Sequence, residues 1–310
     1  MTIQQLEYVV ALDKYRHFVS AAEACYITQP TLTMQLKKLE EEIGFMLFDR
    51  HSKPLKPTRQ GEAYIAKARQ IIREVRLLEE SVKNEKESLA GHFKMAVIPT
   101  VAPYLIPRFI KTLIDENKAL SFDIIELQTS EIIKSLRDET IDMGIVSTPL
   151  YEDYIQEVPL YYEPFLLYLP ENHKLAKYDK IASEIISSKE LLLLDEGHCF
   201  REQALQLCSL NKSKKGFGFT YKSGSIEALM NMVDRKFGYT LLPELAIEEK
   251  DISADRLKRF TCPEPIREIS LVCHTSFAKT RLIEKITQSV IKNIPKNLTT
   301  TKDNTRIEWK

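Results

Sequence analysis

The sequence predicts a multidomain α/β protein, in which a helical N-terminal region precedes a longer region of alternating strands and helices. The chain has 310 residues, enough for two or three domains. Residues 1–90 repeat apolar side chains at helical spacing and contain only two glycines, Gly44 and Gly61. From "AGHFKMAVIPT" onward, short apolar runs alternate with amphipathic segments, which is typical of an α/β fold with parallel sheets.

The overall composition does not by itself indicate a function. There are 44 basic and 44 acidic residues, so any attraction to nucleic acid or to a membrane must be local. The N-terminus lacks the pattern of a signal peptide, and no run approaches 18 apolar residues. We therefore expect a cytoplasmic protein with no membrane partner.

The cysteines argue against a structural disulfide framework, because their number is odd and their spacing is irregular. No CxxC pair or Cys/His cluster suggests a zinc site, so we expect no metal and no cofactor. A disulfide in a reducing compartment is expected to be transient and regulatory. The five cysteines are Cys25, Cys199, Cys208, Cys262 and Cys273.

Three helices are predicted in the first 44 residues. The third, "TQPTLTMQLKKLEEEIG", has Thr28 as a plausible N-cap, Pro30 in its first turn and Gly44 as its stop. The second, "FVSAAEACYI", is short and rich in alanine. The apolar faces are Leu6, Val9, Val10 and Leu12 in the first helix, and Leu32, Leu36, Leu39 and Ile43 in the third.

A basic hairpin and a long helix follow. The segment "FMLFDRHSKPLKPTRQG" begins with an apolar run and continues as a hairpin broken by prolines, with four cations and no acid from Arg50 to Arg59. A helix over about residues 59–88 is long for a small domain, so its apolar stripe is predicted to pack against a copy of itself. The stripe consists of Ile65, Ala68, Ile71, Ile72, Val75, Leu78 and Val82.

Three short helices followed by a basic hairpin form the pattern of a winged helix-turn-helix, which binds double-stranded DNA. Polar side chains opposite the leucine stripe suit base edges and phosphates. The hairpin suits an adjacent minor groove or the phosphate backbone. The alternative for the helix face alone is an ordinary solvated surface, but a basic hairpin in a neutral protein favours DNA.

The stretch "LEYVVALDKYRHFVSAAEACYITQPTLTMQLKKLEEEIGFMLFDR", followed by "PTRQG", resembles the DNA-binding domain of LysR-type transcriptional regulators. This resemblance implies a winged helix-turn-helix over 1–58, a linker and dimerisation helix over 59–90, and a Rossmann-like effector domain over 91–300. It also implies that the DNA contacts come from Gln29, Pro30, Thr31, Thr33 and Lys37 in the recognition helix, and from Arg50, Lys53 and Pro54 in the wing.

The same resemblance extends over the whole chain and describes its assembly. It implies an effector domain of two subdomains like a periplasmic binding protein, a homodimer joined by the linker helix and often assembled to a homotetramer, and promoter DNA and RNA polymerase as partners. We expect subdomain I at about 91–162 and 267–300 and subdomain II at about 163–266. The polar tail 301–310 is expected to fray.

Apolar runs and periodicity set the predicted elements of this second region. Strand candidates are 93–99, 122–128, 143–147, 164–169, 190–195, 219–223, 239–242 and 268–274. Helix candidates fall near 103–117, 130–139, 199–209, 225–236 and 279–294.

Two cysteines lie nine positions apart in "GHCFREQALQLC", which runs from Gly197 to Cys208. In a helix, nine residues turn the side chains to opposite sides and rise about 13.5 Å. A disulfide needs Cα atoms within roughly 4.4–6.8 Å. Either the pair is an accident of two buried thiols, or the segment between them is remodelled when they join.

The surroundings of the two thiols differ. Cys199 falls in the first turn of a helix, after a strand, with His198 and Arg201 nearby. A helix N-terminus and neighbouring cations favour a reactive thiolate. Cys208 lies among leucines and is expected to be a buried, unactivated thiol. The residues alone leave open the possibility that the two cysteines are unrelated.

"GHCFREQALQLC" is similar to the redox segment of the hydrogen-peroxide-sensing members of the LysR type. The resemblance implies that peroxide oxidises Cys199 and that Cys208 resolves the product as a disulfide, which a thioredoxin- or glutaredoxin-type reductant recycles. Further matches occur in "VIPTVAPYLIP", "ELQTSEII", "LDEGHC" and "PEPIREISLV", and they supply a peroxide pocket of Thr100, Thr129, His198 and Arg267.

This chemistry gives each pocket residue an expected role. The two threonine hydroxyls would hold the peroxide, and His198 or Arg267 would offset the negative charge that develops. Refolding of about residues 199–220 would then change the effector domain and activate promoters of oxidative-stress genes. One alternative is a LysR-type regulator controlled by a small-molecule co-inducer in the cleft between subdomains. A thiol peroxidase is disfavoured, because a promoter-reading module has no clear use on a scavenger, so we expect no enzyme.

Overall fold

The computed structural model describes residues 1–50, 52–83, 89–187, 190–208, 224–248, 250–277, 279–300 and 304–308. The chain divides into two compact units, Met1–Ser88 and Leu89–Lys310. The helices are α1 Ile3–Tyr15, α2 Phe18–Ala24, α3 Gln29–Ile43, α4 Arg59–Lys83, α5 Ala102–Glu116, α6 Thr129–Arg137, α7 Cys199–Leu207, α8 Ile226–Asp234 and α9 Thr280–Lys292.

The strands of the N-terminal unit are β1 Phe48–Asp49 and β2 Lys56–Pro57. Those of the C-terminal unit are β3 Gly91–Val97, β4 Leu120–Glu126, β5 Met143–Thr148, β6 Ile155–Tyr168, β7 Lys180–Ile181, β8 Leu191–Leu192, β9 Tyr239–Pro243, β10 Leu257–Phe260, β11 Glu264–His274 and β12 Asn304–Arg306.

The N-terminal unit is a helix-turn-helix with a wing. Thr28 caps α3 by accepting a hydrogen bond from the Thr31 N–H, and Gly44 ends that helix at a φ of 82°. A positive φ of this kind suits glycine because it lacks a Cβ. The wing is the antiparallel pair β1 and β2. The core consists of Tyr8, Val9, Leu12, Ala21, Ala22, Leu32, Leu36, Leu39, Leu47, Phe48, Leu55 and Ile65.

The apolar stripe of α4 divides between two environments. Ala68 and Ile72 pack against Leu6 of α1, within the same unit. Ile71 and Leu78 are 42% and 68% exposed. The buried half of the stripe therefore packs within this unit against α1, and packing of the stripe against a second copy stays a prediction.

The sheet of the C-terminal unit is mixed. Strand β3 pairs in parallel with β4 and β5, as predicted. However, β11 runs antiparallel to both β5 and β6, and β6 runs antiparallel to β9. The prediction of parallel sheets was wrong for these strands. A chain that crosses once into a second lobe and returns beside that crossing must lay its two crossing strands antiparallel.

Two hydrophobic cores define the two subdomains. Strand β6 contributes Leu160 and Tyr161 to the first core and Phe165 and Leu167 to the second. The first core also contains the buried faces of β3, β5, α5 and α9, and the second contains those of β9 and α8. The subdomain boundaries expected near 162 and 267 fall inside β6 and β11.

Two other predicted elements differ in the structure. The predicted strand 190–195 is only Leu191–Leu192, whereas 219–223 lies outside the described residues. The tail was expected to fray, yet Asn304–Arg306 pairs in parallel with Glu264–Ile266 of β11. Strand β5 does not extend along this stretch of β11, so the backbone N–H and C=O groups on that edge are free to pair with the tail.

Gly61 sets the close approach of α4 to the base of the wing. An added Cβ would lie 2.0 Å from the Leu47 carbonyl oxygen, which is backbone and cannot rotate away. We expect Gly61→Ala to destabilise the protein by about 1–3 kcal/mol, the usual cost of overpacking. Urea unfolding of the full chain measures it, with the exposed neighbour substitution Gln60→Ala as control. Equal midpoints for the two variants would refute this steric account.

Candidate functional site

Helix α7 begins beside the first turn of α6. The turn before it contains Gly197 at a φ of 93°, and a Cβ there would lie 2.2 Å from the Oε1 atom of Gln128. Gln128 is the N-cap of α6, and Thr129 is its first residue. The glycine therefore allows the N-terminal ends of two helices to meet, which places Thr129 next to Cys199.

The Cys199 thiol is buried, with 3% of the residue exposed. Burial raises its pKa and outweighs the influences that lower it, which are the charge of Arg267, the neighbouring Thr129 hydroxyl, and the backbone N–H groups of Phe200 and Cys199. The sequence indicated a thiol activated by a helix N-terminus. That terminus is present, but its burial keeps the thiol mostly protonated at neutral pH.

Arg267 is the cation of the site, and its guanidinium is fixed by hydrogen bonds and by a ring contact. Its Nη1 donates to Thr100 Oγ1 at 2.9 Å, and its Nη2 donates to the Thr100 carbonyl oxygen at 3.1 Å. Its Nε and Nη2 donate to Glu163 Oε2 at 2.9 and 2.7 Å. The guanidinium also lies over the Phe200 ring, 4.9 Å from its centre. Both Arg267 and Thr100 are 1% exposed.

Glu163 was missed by the sequence analysis. It is 1% exposed, and its Oε1 accepts a hydrogen bond from the Leu245 N–H at 2.8 Å. Burial raises its pKa, whereas Arg267 lowers it. The available signal was a lone carboxylate within the apolar run "LYYEPFLLYLP", because a buried carboxylate requires a partner.

Two buried polar atoms near the thiol lack hydrogen-bond partners of good geometry among the described residues. They are Thr129 Oγ1 and Gln203 Oε1. Gln203 lies one helical turn after Cys199, and its Nε2 donates to Ser147 Oγ at 3.1 Å and to the Ile307 carbonyl oxygen at 2.7 Å. Sequence reasoning missed Gln203 as well. Unsatisfied buried atoms of this kind suit a small polar ligand.

His198 precedes α7 and is 8% exposed. Burial lowers its pKa, so the imidazole is neutral at neutral pH. A Cβ at Gly224 would lie 2.7 Å from its Nε2, so the ring rests against that glycine. The sequence offered His198 or Arg267 as the group that offsets negative charge. A neutral imidazole supplies no positive charge, so of these two candidates Arg267 is the cation.

Cys208 lies at the far end of α7, where its N–H donates to the Ala204 carbonyl oxygen. It packs in the second core, whereas Cys199 packs in the first. Burial raises the pKa of the Cys208 thiol to about 12. Both thiols are free. The helix between them is continuous, so they are separated by about 13.5 Å along its axis and cannot bond in this arrangement.

The predicted DNA-contacting residues of α3 are Gln29, Pro30 and Lys37, which are exposed, and Thr31 and Thr33, which are half-buried. The Thr31 hydroxyl is hydrogen-bonded to that of Thr28, and the Thr33 hydroxyl donates to the Gln29 carbonyl oxygen. Tyr26, in the turn before α3, is 97% exposed and was not predicted.

The three predicted DNA-contacting residues of the wing differ in their surroundings. Lys53 and Pro54 are exposed at its tip. Arg50 instead pairs with the buried carboxylate of Glu40 at 2.6 Å, and the other oxygen of Glu40 accepts from the Leu47 N–H. Arg50 therefore anchors the base of the wing to α3, which limits its freedom to reach a phosphate.

No helix within the described residues is long and apolar enough to cross a membrane. The described part of the chain also contains no group of three or more His, Cys, Asp or Glu side chains that could hold a metal ion.

Comparison with known families assigns both units. Residues 3–62 match the bacterial regulatory helix-turn-helix protein, lysR family, and residues 86–293 match the LysR substrate binding domain. The chain belongs to the LysR family.

Its relatives place it within that family. The "Hydrogen peroxide-inducible genes activator" of Haemophilus influenzae is 36% identical over 94% of this chain and 96% of its own length. The "DNA-binding transcriptional dual regulator OxyR" of Escherichia coli K12 is 36% identical over 88% of this chain and 89% of its own length. The chain is thus an OxyR-like member of the LysR family.

Solved structures agree with this placement. A full-length OxyR variant from Pseudomonas aeruginosa superposes with a TM-score of 0.77 at 32% identity, covering 94% of this chain and 97% of that one. Reduced OxyR from Porphyromonas gingivalis gives a TM-score of 0.62 at 31% identity, covering 69% of this chain and all of that one.

The ion pair and the thiol can be tested separately. We expect Arg267→Met to lower the free energy of unfolding by about 3–5 kcal/mol, because it leaves the Glu163 carboxylate buried without its cation. The double variant Glu163→Gln with Arg267→Met should recover most of that loss. Denaturant unfolding of the reduced protein measures both changes.

Both variants should still raise the pKa of Cys199, because each lacks the cation that favours the thiolate. The pH dependence of Cys199 alkylation, followed by peptide mass spectrometry, should shift to higher pH in both. An unchanged profile in the double variant would contradict a role for Arg267 at the thiol.

Proposed function

We propose that this protein is a DNA-binding transcriptional regulator that senses hydrogen peroxide through Cys199 and a reversible Cys199–Cys208 disulfide. The observation that carries the proposal is the buried thiol of Cys199 beside the fixed guanidinium of Arg267 and the unpartnered hydroxyl of Thr129, with a second thiol at the other end of the same helix. The names of the OxyR relatives support it.

The proposed oxidation takes place in two steps. The Cys199 thiolate attacks one oxygen of the peroxide, the O–O bond breaks, and hydroxide leaves and takes up a proton to become water. The resulting sulfenic acid is attacked at sulfur by the Cys208 thiolate, its S–O bond breaks, and a second water leaves. Two thiols and one peroxide thus give one disulfide and two waters.

Each pocket group has a role that its geometry suits. The Thr129 hydroxyl has hydrogen-bonding capacity to spare and can hold a peroxide oxygen. Arg267, fixed by Glu163, and Thr100 present positive charge and a hydroxyl where hydroxide develops. The raised pKa of Cys199 keeps the free thiol protonated and unreactive toward general reagents, so in our proposal reaction depends on a small oxidant that fits the pocket.

The disulfide requires α7 to unwind, because the two thiols cannot meet across an intact helix. In our proposal this refolding changes the effector unit, and thereby a homodimer or homotetramer bound to promoter DNA in the cytoplasm, and it activates oxidative-stress genes through RNA polymerase. A thiol reductant of the thioredoxin or glutaredoxin type returns the disulfide to two thiols. Regulation, rather than catalytic turnover, is the proposed role.

The first test replaces the reacting thiol. We expect Cys199→Ser to abolish peroxide-dependent transcription while leaving promoter binding by the reduced protein intact. Cys262→Ser, at an exposed cysteine, is the matched control and should respond normally. Mass spectrometry of the peroxide-treated protein should show a Cys199–Cys208 crosslinked peptide. A response that survives Cys199→Ser would instead favour a small-molecule co-inducer.

The pH dependence of oxidation follows from the raised pKa of Cys199. Below that pKa the thiolate fraction grows about tenfold for each pH unit, so the rate of oxidation should rise through neutral and mildly alkaline pH. Stopped-flow oxidation of the reduced protein between pH 6 and 9 measures this. A rate that is level across that range would show that the thiol is already ionised.

The wing can be tested by the salt dependence of DNA binding. We expect Lys53→Ala to weaken binding equally on different sequences and to lower the slope of log K against log salt by about one, as for a phosphate contact. Lys111→Ala, at an exposed lysine of the effector unit, is the control. If the two variants had the same slope, the wing contact would be ruled out.

A further inference from the structure

We propose that residues 304–308, the C-terminal strap, hold the redox helix α7 in its helical form and so set how readily Cys199 and Cys208 join. The second half of this statement rests on the proposed function. The first half concerns the reduced protein alone. The match to the LysR substrate binding domain ends at residue 293, so the strap lies beyond the matched domain.

The backbone of the strap completes an edge of β11. Strand β5 pairs with that edge only from Glu268 onward. Strand β12 pairs with Glu264–Ile266, and the Ile307 N–H donates to the Ile266 carbonyl oxygen at 2.8 Å. The strap therefore docks where β11 crosses between the two subdomains.

Two side chains fix the strap to the rest of the effector unit. Arg306 Nη1 donates to Glu268 Oε2 at 2.9 Å, and Glu268 is 5% exposed. The Tyr151 hydroxyl donates to Glu308 Oε2 at 2.6 Å. An arginine on a buried carboxylate gives the strap an anchor that is worth more than a surface ion pair.

The strap is hydrogen-bonded to the redox helix. Gln203 Nε2 donates to the Ile307 carbonyl oxygen at 2.7 Å, and Gln203 is fully buried. The Ile307 side chain packs against the second hydrophobic core, which also contains Cys208. Thus the strap contacts the middle of the helix and the core at its end.

Unwinding α7 must move Gln203, which lies between the two cysteines. Its bond to Ile307 then breaks, so the fully buried Gln203 amide loses the acceptor that the half-buried strap provides. Leaving a buried polar group unpaired is unfavourable. While the strap is docked, the helical form that keeps the thiols apart is favoured, and releasing the strap removes this resistance.

The test compares full-length protein with two shortened chains, one ending after residue 303 and a control ending after residue 308 that keeps the strap. In the reduced protein, amides of Cys199–Leu207 should exchange with deuterium several-fold faster in the chain without the strap than in the control. Arg306→Ala, which removes one anchor, should shift exchange in the same direction by less. This variant decides the matter if the shorter chain does not fold.

The rate of crosslinking forms the second measurement. After a pulse of peroxide, the Cys199–Cys208 disulfide should form two- to tenfold faster in the strap-free chain or in Arg306→Ala than in the control. Unchanged amide exchange in both variants would overturn the strap as a restraint on α7. Faster exchange with an unchanged disulfide rate would overturn its control of oxidation. Absence of the disulfide in every version would overturn the proposed function, while the exchange result would still decide the restraint.

Discussion

The buried ion pair of Arg267 and Glu163 is the interaction on which the effector unit depends. Its two members belong to β11 and β6, the antiparallel strands that cross between the subdomains. Both side chains are buried, so each charge depends on its partner and on fixed hydrogen bonds: Arg267 donates to Thr100, and Glu163 accepts from the Leu245 N–H. The pair therefore connects the two crossing strands and presents a positive charge to the Cys199 pocket.

Burial has opposite effects on the chemistry of this pocket. It strengthens the field of Arg267, because little water screens it, yet it also disfavours the charged form of the thiol. The net result is a buried, mostly protonated thiol close to the unpartnered Thr129 and Gln203 atoms, which in our proposal a small oxidant uses. Helix α7 then connects the two cores, since Cys199 packs in one and Cys208 in the other. A bond between the thiols cannot form without disturbing both.

The DNA-binding unit uses the same physics on a smaller scale. The buried carboxylate of Glu40 forms an ion pair with Arg50, just as that of Glu163 does with Arg267. The sequence predicted the wing from its cations, but could not show which cation is already paired inside the protein. It likewise predicted the apolar stripe of α4 but not the side that α1 would cover. In each case the local pattern identified the element, and the partner came from a distant part of the chain.

The sequence by itself determined the properties that neighbours along the chain control. These are the caps and stop of α3, the leucine stripe, the winged helix-turn-helix, and the nine-residue spacing that keeps Cys199 and Cys208 apart on one helix. Only the tertiary structure decided the antiparallel crossing strands, the docked C-terminal strap, and the pairing of Arg267 with Glu163 across 104 residues. It also decided that the pKa of Cys199 is raised. Burial and charge pairing depend on contacts between residues that are far apart in the sequence, and periodicity along the chain does not reveal those contacts.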